Sequence, residues 1–493
     1  MTMGAEIGTD SAGVRRRYIA VVIAVVCLGL AGMPYSHSFA GHGEASDVEL
    51  PERILDENGN LIATMSDPSQ TRREVSPDML QTFGPPVETV RAGQENLRVL
   101  SRDEPIPSGL PFLGEVPLYV NGSSEDTAPR IAHNPIDGYT WAVFSHNDGL
   151  DTDVYVSYSI DLGQTWNLTL STTGPYNETN PAIAIAGNTV FISYEQDKIG
   201  WEQNTFFIMS QDGGQTWGTY YINWDWTNPY PGVQLEDFNN VDVSAVRPGW
   251  FHWIADVYAV KNATRTVAFM WTDTYGDSWS MGYLTHSLHR GEDLEHPVIM
   301  ENSADERMHM AYQHWNTSEA SWDVEWLVVD HGWSYVTGYW TANIDGGRSD
   351  IAPDLYVRDD YVYVVWQNGT ISPDLTAFFS DDGGRSSIWI LFITRDSPSD
   401  ETSPSVTIDA GYVPHLAFSN DSLTYYATNS NILWQPWSTY VVSENSSTAD
   451  HHRLLDLTLI SGNLAVAWTD TRNMNADIYF SIAELNTPPV AVA

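Results

Sequence analysis

Seven carboxylates recur along the chain at matched places: Asp126, Glu178, Asp237, Glu295, Asp350, Glu401 and Asp450. Most stand two or three residues before a proline that opens an apolar run, as in Asp126-Thr127-Ala128-Pro129 and Glu401-Thr402-Ser403-Pro404. Carboxylate oxygens are hard ligands, so acids repeated in this way could attract cations and take Ca²⁺. They could equally accept local hydrogen bonds where a loop enters a strand. Arg130, Arg348, Arg395 and Arg472 are candidate anion clamps, since a planar guanidinium grips a carboxylate with two parallel bonds. Arg290 and Arg453 belong to the same class of loop arginine. Trp224, Trp226 and Tyr230 share one long loop, where they could stack on a sugar ring or pack against neighbouring structure. His133, His146, His451 and His452 are candidate ligands or ordinary structural histidines. The metal-helix pattern His-Glu-x-x-His and the Gly-x-Ser-x-Gly nucleophile turn are absent, so two common hydrolase readings lose support.

The elements that carry these residues are strands. Short β-branched and aromatic runs alternate with Gly, Pro, Asn and Asp clusters, and helical periodicity is scarce. The prolines at 129, 181, 297, 353 and 404 are separated by roughly 50 residues, or twice that where one copy lacks proline. Each opening is followed by a second strand, a polar loop and a third strand. Several strands per unit at that period predict propeller blades. Seven copies start near 126, 178, 236, 293, 350, 401 and 450, which predicts an all-β single propeller of seven four-stranded blades, with six as the alternative. The seventh copy lacks its fourth strand, and an orphan strand at 117–121 precedes the first copy. That N-terminal strand is expected to close the ring and remove an exposed sheet edge.

A sharper motif stands between the third and fourth strands. One copy places Ser159, Asp161, Gly163 and Trp166; a second places Ser210, Asp212, Gly214 and Trp217; a third places Ser380, Asp382 and Gly384. Weaker versions occur at 272–279, 330–335 and 429–434. The Asp can accept bonds from the turn's own N–H groups, the Gly permits positive φ, and the Trp folds between sheets. This Ser-x-Asp-x-Gly-x-Thr-Trp pattern resembles the Asp box, or bacterial neuraminidase repeat, of the sialidase superfamily. The resemblance covers about 116–486 and implies a β-propeller whose boxes lie on the face opposite any active site. The repeated acids and the aromatic loop would then lie on the active-site face, with the acids around the mouth of the central channel.

A sialidase-type enzyme would also need, by that resemblance, three arginines around a substrate carboxylate, a Tyr nucleophile paired with Glu, and an Asp acid/base. Pro129-Arg130-Ile131-Ala132 only approaches the family's first arginine motif, and Phe144-Ser145-His146-Asn147-Asp148 holds no arginine where the next is expected. No Tyr–Glu pair can be named from the sequence.

The formal charge is −42, from 64 acids against 22 bases. Such a surface repels nucleic acid and anionic membranes and stays soluble in salt. The only cysteine, Cys27, lies in an apolar run after Arg15-Arg16-Arg17, and small residues end with Ala40. Residues 1–40 therefore read as a secretory signal peptide, with an uncleaved membrane anchor as the alternative. Residues 41–112 read as an extended, mostly disordered linker with a short helical piece near 77–83, and 113–486 as the propeller. Residues 487–493 read as the start of a further module or a truncated tail. The function expected is a secreted or surface-attached binding module for glycan or a surface protein, without catalysis. A sialidase-type exo-glycosidase and a structural module of a larger surface protein are the alternatives.

Overall fold

The computed structural model describes residues 53–55, 61–74, 80–82 and, with breaks, 112–485. Twenty-eight of its strands form seven antiparallel blades of four. Blade 1 holds β5 (Glu125–His133), β6 (Thr140–Asn147), β7 (Thr152–Ser159) and β8 (Asn167–Thr172). Blade 2 holds β9 (Asn177–Ala186), β10 (Thr189–Asp197), β11 (Thr205–Ser210) and β12 (Gly218–Ile222). Blade 3 holds β13 (Leu235–Arg247), β14 (Trp250–Ala259), β15 (Thr264–Thr272) and β16 (Ser278–Leu284). Blade 4 runs from β17 (Leu294–Glu301) through β18 (Met308–Asn316) and β19 (Ser321–Val329) to β20 (Val336–Ala342). Blade 5 comprises β21 (Asp350–Arg358), β22 (Tyr361–Asn368), β23 (Asp374–Ser380) and β24 (Trp389–Phe392). Blade 6 comprises β25 (Glu401–Ile408), β26 (Pro414–Asn420), β27 (Leu423–Thr428) and β28 (Ser438–Ser443).

Blade 7 is closed from the other end of the chain. Its β29 (Leu455–Ile460), β30 (Asn463–Asp470) and β31 (Asp477–Ala483) receive β4 (Val116–Tyr119) as fourth strand, with Ile478 opposite Tyr119. The closing strand and the count of seven are as the repeat predicts. The core agrees with that count. Seven separate apolar clusters each bridge two adjoining blades, from Trp141 with Ile192 between blades 1 and 2 to Phe144 with Phe480 across the closure. Burying sheet faces against each other in this way supplies the main driving force for the fold.

Part of the stretch assigned to the linker pairs with the propeller. β2 (Leu61–Glu74) lies between the outermost strands of blades 2 and 3, pairing with both β12 and β16, and β1 (Arg53–Leu55) pairs with β2. β3 (Leu80–Thr82) pairs with β8. The short helix expected near 77–83 is thus a strand at 80–82, because the free edge of β8 offers its backbone partners that a lone turn of helix lacks.

The opening motif is a β-bulge. The residue before each proline adopts positive φ: Ala128, Asn180, His296, Ala352 and Ser403 all lie between 47° and 53°. The pairing register slips at the same place in all these blades. In blade 3 Asn240 takes the same conformation before Val241. A bulge leaves one backbone position out of the ladder, and proline, having no N–H, fits there without a lost bond.

Candidate functional site

The Ser-x-Asp-x-Gly turns form self-contained hydrogen-bond nests. Asp161 accepts from Thr165 N at 2.9 Å and Thr165 Oγ1 at 2.7 Å, while Ser159 Oγ donates to Asp161 at 2.8 Å and accepts from Gly163 N. Trp166 Nε1 donates to Gly163 O and its ring meets Phe480 edge-on. Asp212 and Asp382 repeat the pattern with Thr216 and Ser386, and Ser210 Oγ and Ser380 Oγ accept from Gly214 N and Gly384 N. Trp217 packs edge-on against Trp141. Gly213 N donates to Asn188 O in the turn after the first strand of its blade, so the boxes lie at the end opposite the strand openings.

At the openings, four of the candidate acids lie inside their own blades. Asp126 meets His146 Nδ1 at 2.6 Å, and Glu178 accepts from Gln196 Nε2 at 2.6 Å. Asp350 accepts from Asn368 Nδ2 at 2.7 Å and Trp366 Nε1 at 2.8 Å; Glu401 accepts from Asn420 Nδ2 at 2.8 Å. Each donor on the second strand stands directly opposite its acid or beside it. All four acids are fully buried. The expected ring of carboxylates around the channel mouth is therefore not what these four residues build: they accept from side chains within their own blades. In blades 3 and 4 the corresponding position is apolar, Phe238 and Leu294. Asp237 is exposed, and Glu295, one residue further on, sits near Arg265 and Gln313. Asp450, Arg395, Trp224, Trp226 and Tyr230 lie outside the described residues, as do Arg290, His451, His452 and Arg453.

The channel is lined by a different set. The residue after the bulge lines the axis in five blades, as Arg130, Asp242, Val298, Asp354 and Ser405, and Asp456 joins them from blade 7. Together they line an axial cavity of about 190 Å³. Three of them latch one blade to the next. Asp242 accepts from Ile299 N at 2.9 Å, Asp354 from Val406 N at 2.8 Å, and Asp456 from Ile131 N at 2.7 Å. Ser405 Oγ accepts from Leu457 N at 3.2 Å. Burial lifts the Asp354 carboxyl to about 7, and its neighbours Asp456 and Asp242 add to the lift while Arg130 opposes it. Burial also raises Asp456. Arg130 is the one arginine lining the cavity among the described residues, and its Nη1 donates to Pro129 O and Leu455 O.

The other described arginines do not converge there. Arg348 donates to Ser372 O at 3.2 Å. Arg472 binds Asp470 and Glu115 and lies 4.0 Å over the Tyr479 ring. Arg265 is held by Asp256 at 2.6 Å. A Tyr–Glu pair does exist, Tyr339 OH donating to Glu325 at 2.5 Å, but Tyr339 is on the outermost strand of blade 4. Behind it, His314 stands between Glu325 and Glu292, both at 2.9 Å. Among the described residues, no group of three or more His, Cys, Asp or Glu side chains is arranged to hold a metal ion.

No family model matches the sequence, and a search of curated proteins finds no match. Solved structures do match by shape. A Dyadobacter fermentans protein of unknown function aligns over 76% of this chain and 99% of its own, at 10% identity and a TM-score of 0.48. An α-L-arabinanase of Penicillium chrysogenum, complexed with arabinobiose, aligns over 76% and 98%, at 13% identity and 0.45. The endosialidase of phage phi92 aligns over 76% and 70%, at 10% identity and 0.44. Other shape matches of low sequence identity include an α-L-arabinofuranosidase of Fusarium graminearum and a Trypanosoma rangeli sialidase.

Proposed function

We propose that this chain is a non-catalytic binding propeller, exported to the cell surface or beyond, whose ligand is a glycan or a surface protein. The observation that carries the reading is the composition of the axial cavity. Three aspartates face one arginine there, and that arginine already donates to backbone carbonyls. An anionic sugar carboxylate would meet net negative charge at that mouth and find no cluster of guanidinium groups to hold it. The aspartates in turn are committed to interblade hydrogen bonds, which suits a rigid scaffold better than a general acid or nucleophile. Glycan is the first ligand class to test because of the Asp-box resemblance. Export follows from the reading of residues 1–40. The test is a glycan-array screen of the propeller with and without Ca²⁺, run beside a sialoside hydrolysis assay. Array binding without hydrolysis is the expected result. Turnover of a sialoside would overturn the non-catalytic reading, and silence in both assays would overturn the glycan reading.

A further inference from the structure

The chain holds eight Asn-x-Ser/Thr triplets, and five of them begin at described asparagines: Asn167, Asn177, Asn316, Asn368 and Asn420. In an exported protein such a triplet accepts an N-linked glycan on the asparagine Nδ2. The fold sorts the five into two kinds. Asn316, Asn368 and Asn420 end the second strands of blades 4, 5 and 6. There Asn316 Nδ2 donates to Asp323 at 2.9 Å, Asn368 Nδ2 to Asp350 at 2.7 Å and Asn420 Nδ2 to Glu401 at 2.8 Å. All three carboxylates are buried. A sugar on any of these nitrogens would need the space that the carboxylate fills, and would break into the close packing of the blade.

Asn167 and Asn177 are exposed, and among the described residues nothing accepts a hydrogen bond from either Nδ2. The Asn177 side chain is held through its Oδ1, which accepts from Thr152 N at 3.1 Å. The two asparagines stand at opposite ends of one strand. Asn167 opens β8, the outermost strand of blade 1, directly after the box tryptophan Trp166. Asn177 opens β9 after the turn that follows β8, at the other end. β3 covers the edge of β8 from Leu170 to Thr172 and stops short of Asn167. In both asparagines the nitrogen that would carry the sugar faces no competing acceptor.

We propose that Asn167 and Asn177 carry N-linked glycans, one at each end of the rim strand of blade 1, while Asn316, Asn368 and Asn420 stay bare. The proposal rests on the export reading of residues 1–40 and is independent of what the propeller binds. The donor is a polyprenyl-linked oligosaccharide, supplied with its transferase by the exporting cell. Nδ2 forms the bond to the sugar C1, and the C1–O bond to the lipid phosphate breaks. The lipid phosphate leaves with that electron pair, and the amide proton passes to a base of the transferase. Thr169, whose hydroxyl completes the first triplet, is only 1% exposed in the fold, so attachment at Asn167 precedes folding. The two glycans guard the stretch of β8 that β3 leaves open, where an unpaired edge invites a second chain.

The test expresses the full chain in a eukaryotic host that secretes and N-glycosylates, once with its own residues 1–40 and once behind a leader that the host exports. Glycopeptide mass spectrometry of the secreted, folded chain reads each asparagine separately. Asn167 and Asn177 are expected to be occupied in most molecules, and Asn316, Asn368 and Asn420 in almost none. Asn167→Gln and Asn177→Gln should each remove one endoglycosidase-sensitive mass step. Melts of unglycosylated chain supply a readout that does not depend on the host. There Asn167→Gln and Asn177→Gln should keep the wild-type Tm, while Asn368→Gln and Asn420→Gln should lower it by several degrees. A secreted chain bare at both Asn167 and Asn177 overturns the proposal. A glycan on Asn316, Asn368 or Asn420 of the folded chain also overturns it, as does a fall of several degrees in Asn167→Gln or Asn177→Gln. Secretion only behind the host leader overturns the export reading instead, and the glycan positions are then read on that chain.

Discussion

The carboxylate of Asp456 accepts a 2.7 Å hydrogen bond from the backbone N–H of Ile131, which lies 325 residues earlier in the chain. It is the seventh blade's grip on the first, made at the axis, while β4 makes the same closure at the rim. Asp354 and Asp242 make the equivalent grip on Val406 and Ile299. Asp456→Ala leaves a buried N–H without its acceptor, which costs about 1–3 kcal/mol. Ser405→Ala, which frees Leu457 N from a neutral and longer bond, is expected to cost less. Urea denaturation of both variants beside wild type measures the difference. Equal losses would mean that charge adds nothing to the latch.

The glycines of the box turns are not equivalent. Gly163 has φ of +85°, and a Cβ there would lie 2.1 Å from the Phe480 ring. Gly213 has φ of +70° but open space, with the nearest atom, Asp137 Oδ2, at 3.9 Å. Gly213→Ala carries only the left-handed strain of an L residue, roughly 1 kcal/mol. Gly163→Ala adds a displaced aromatic ring in the closing interface, and overpacking there adds roughly 1–3 kcal/mol. Thermal melts should rank wild type above Gly213→Ala and Gly213→Ala above Gly163→Ala.

Stability should fall as pH rises from about 6.5 to 9. Burial lifts Glu295, Glu301 and Asp354 each to about 7. A carboxyl raised in the folded state binds its proton more tightly there than in the unfolded chain, so its contribution is present at low pH and is lost as pH climbs through the folded value. His314 acts in the same direction. Burial opposes its charge, but Glu325 and Glu292 outweigh that and raise it to about 9. Its stabilisation is full below the unfolded value and disappears through about 9. Burial depresses His309 and His415, whose stabilisation is lost on the acid side instead. Melts in low salt with chelator should therefore peak in mildly acidic buffer. A Tm that rises steadily to pH 9 would contradict the assignment.

Seven blades, the closing strand and the box turns were legible in the sequence because each rests on local chemistry: a proline at a bulge, an Asp in a turn, a Gly at positive φ. The axial site was hidden. Aligning the copies on proline brings Arg130, Ala182, Val298, Asp354 and Ser405 into one column, which Asp242 and Asp456 would extend. Blades 3 and 7 lack the proline, so the column was broken. The search for acids also drew in Asp237 and Glu295, where the matching positions hold Phe238 and Leu294. Which way a carboxylate turns, to the axis or across its blade, depends on the donor opposite it. His146, Gln196, Asn368 and Asn420 are set about 20 residues later by strand pairing, beyond any motif window.

That lateral pairing separates two kinds of acid that look alike in the repeat. Asp350 is satisfied by Trp366 Nε1 and Asn368 Nδ2, both neutral donors that keep a full set of bonds only while the carboxylate is there. Asp350→Ala strands both donors in the core of blade 5 and is expected to cost about 2–4 kcal/mol, one desolvation penalty for each donor. Asp350→Asn keeps an acceptor oxygen in the same place and is expected to lose less. Urea denaturation of both variants beside wild type measures the difference. An Asp350→Ala loss below about 1 kcal/mol would contradict the pairing.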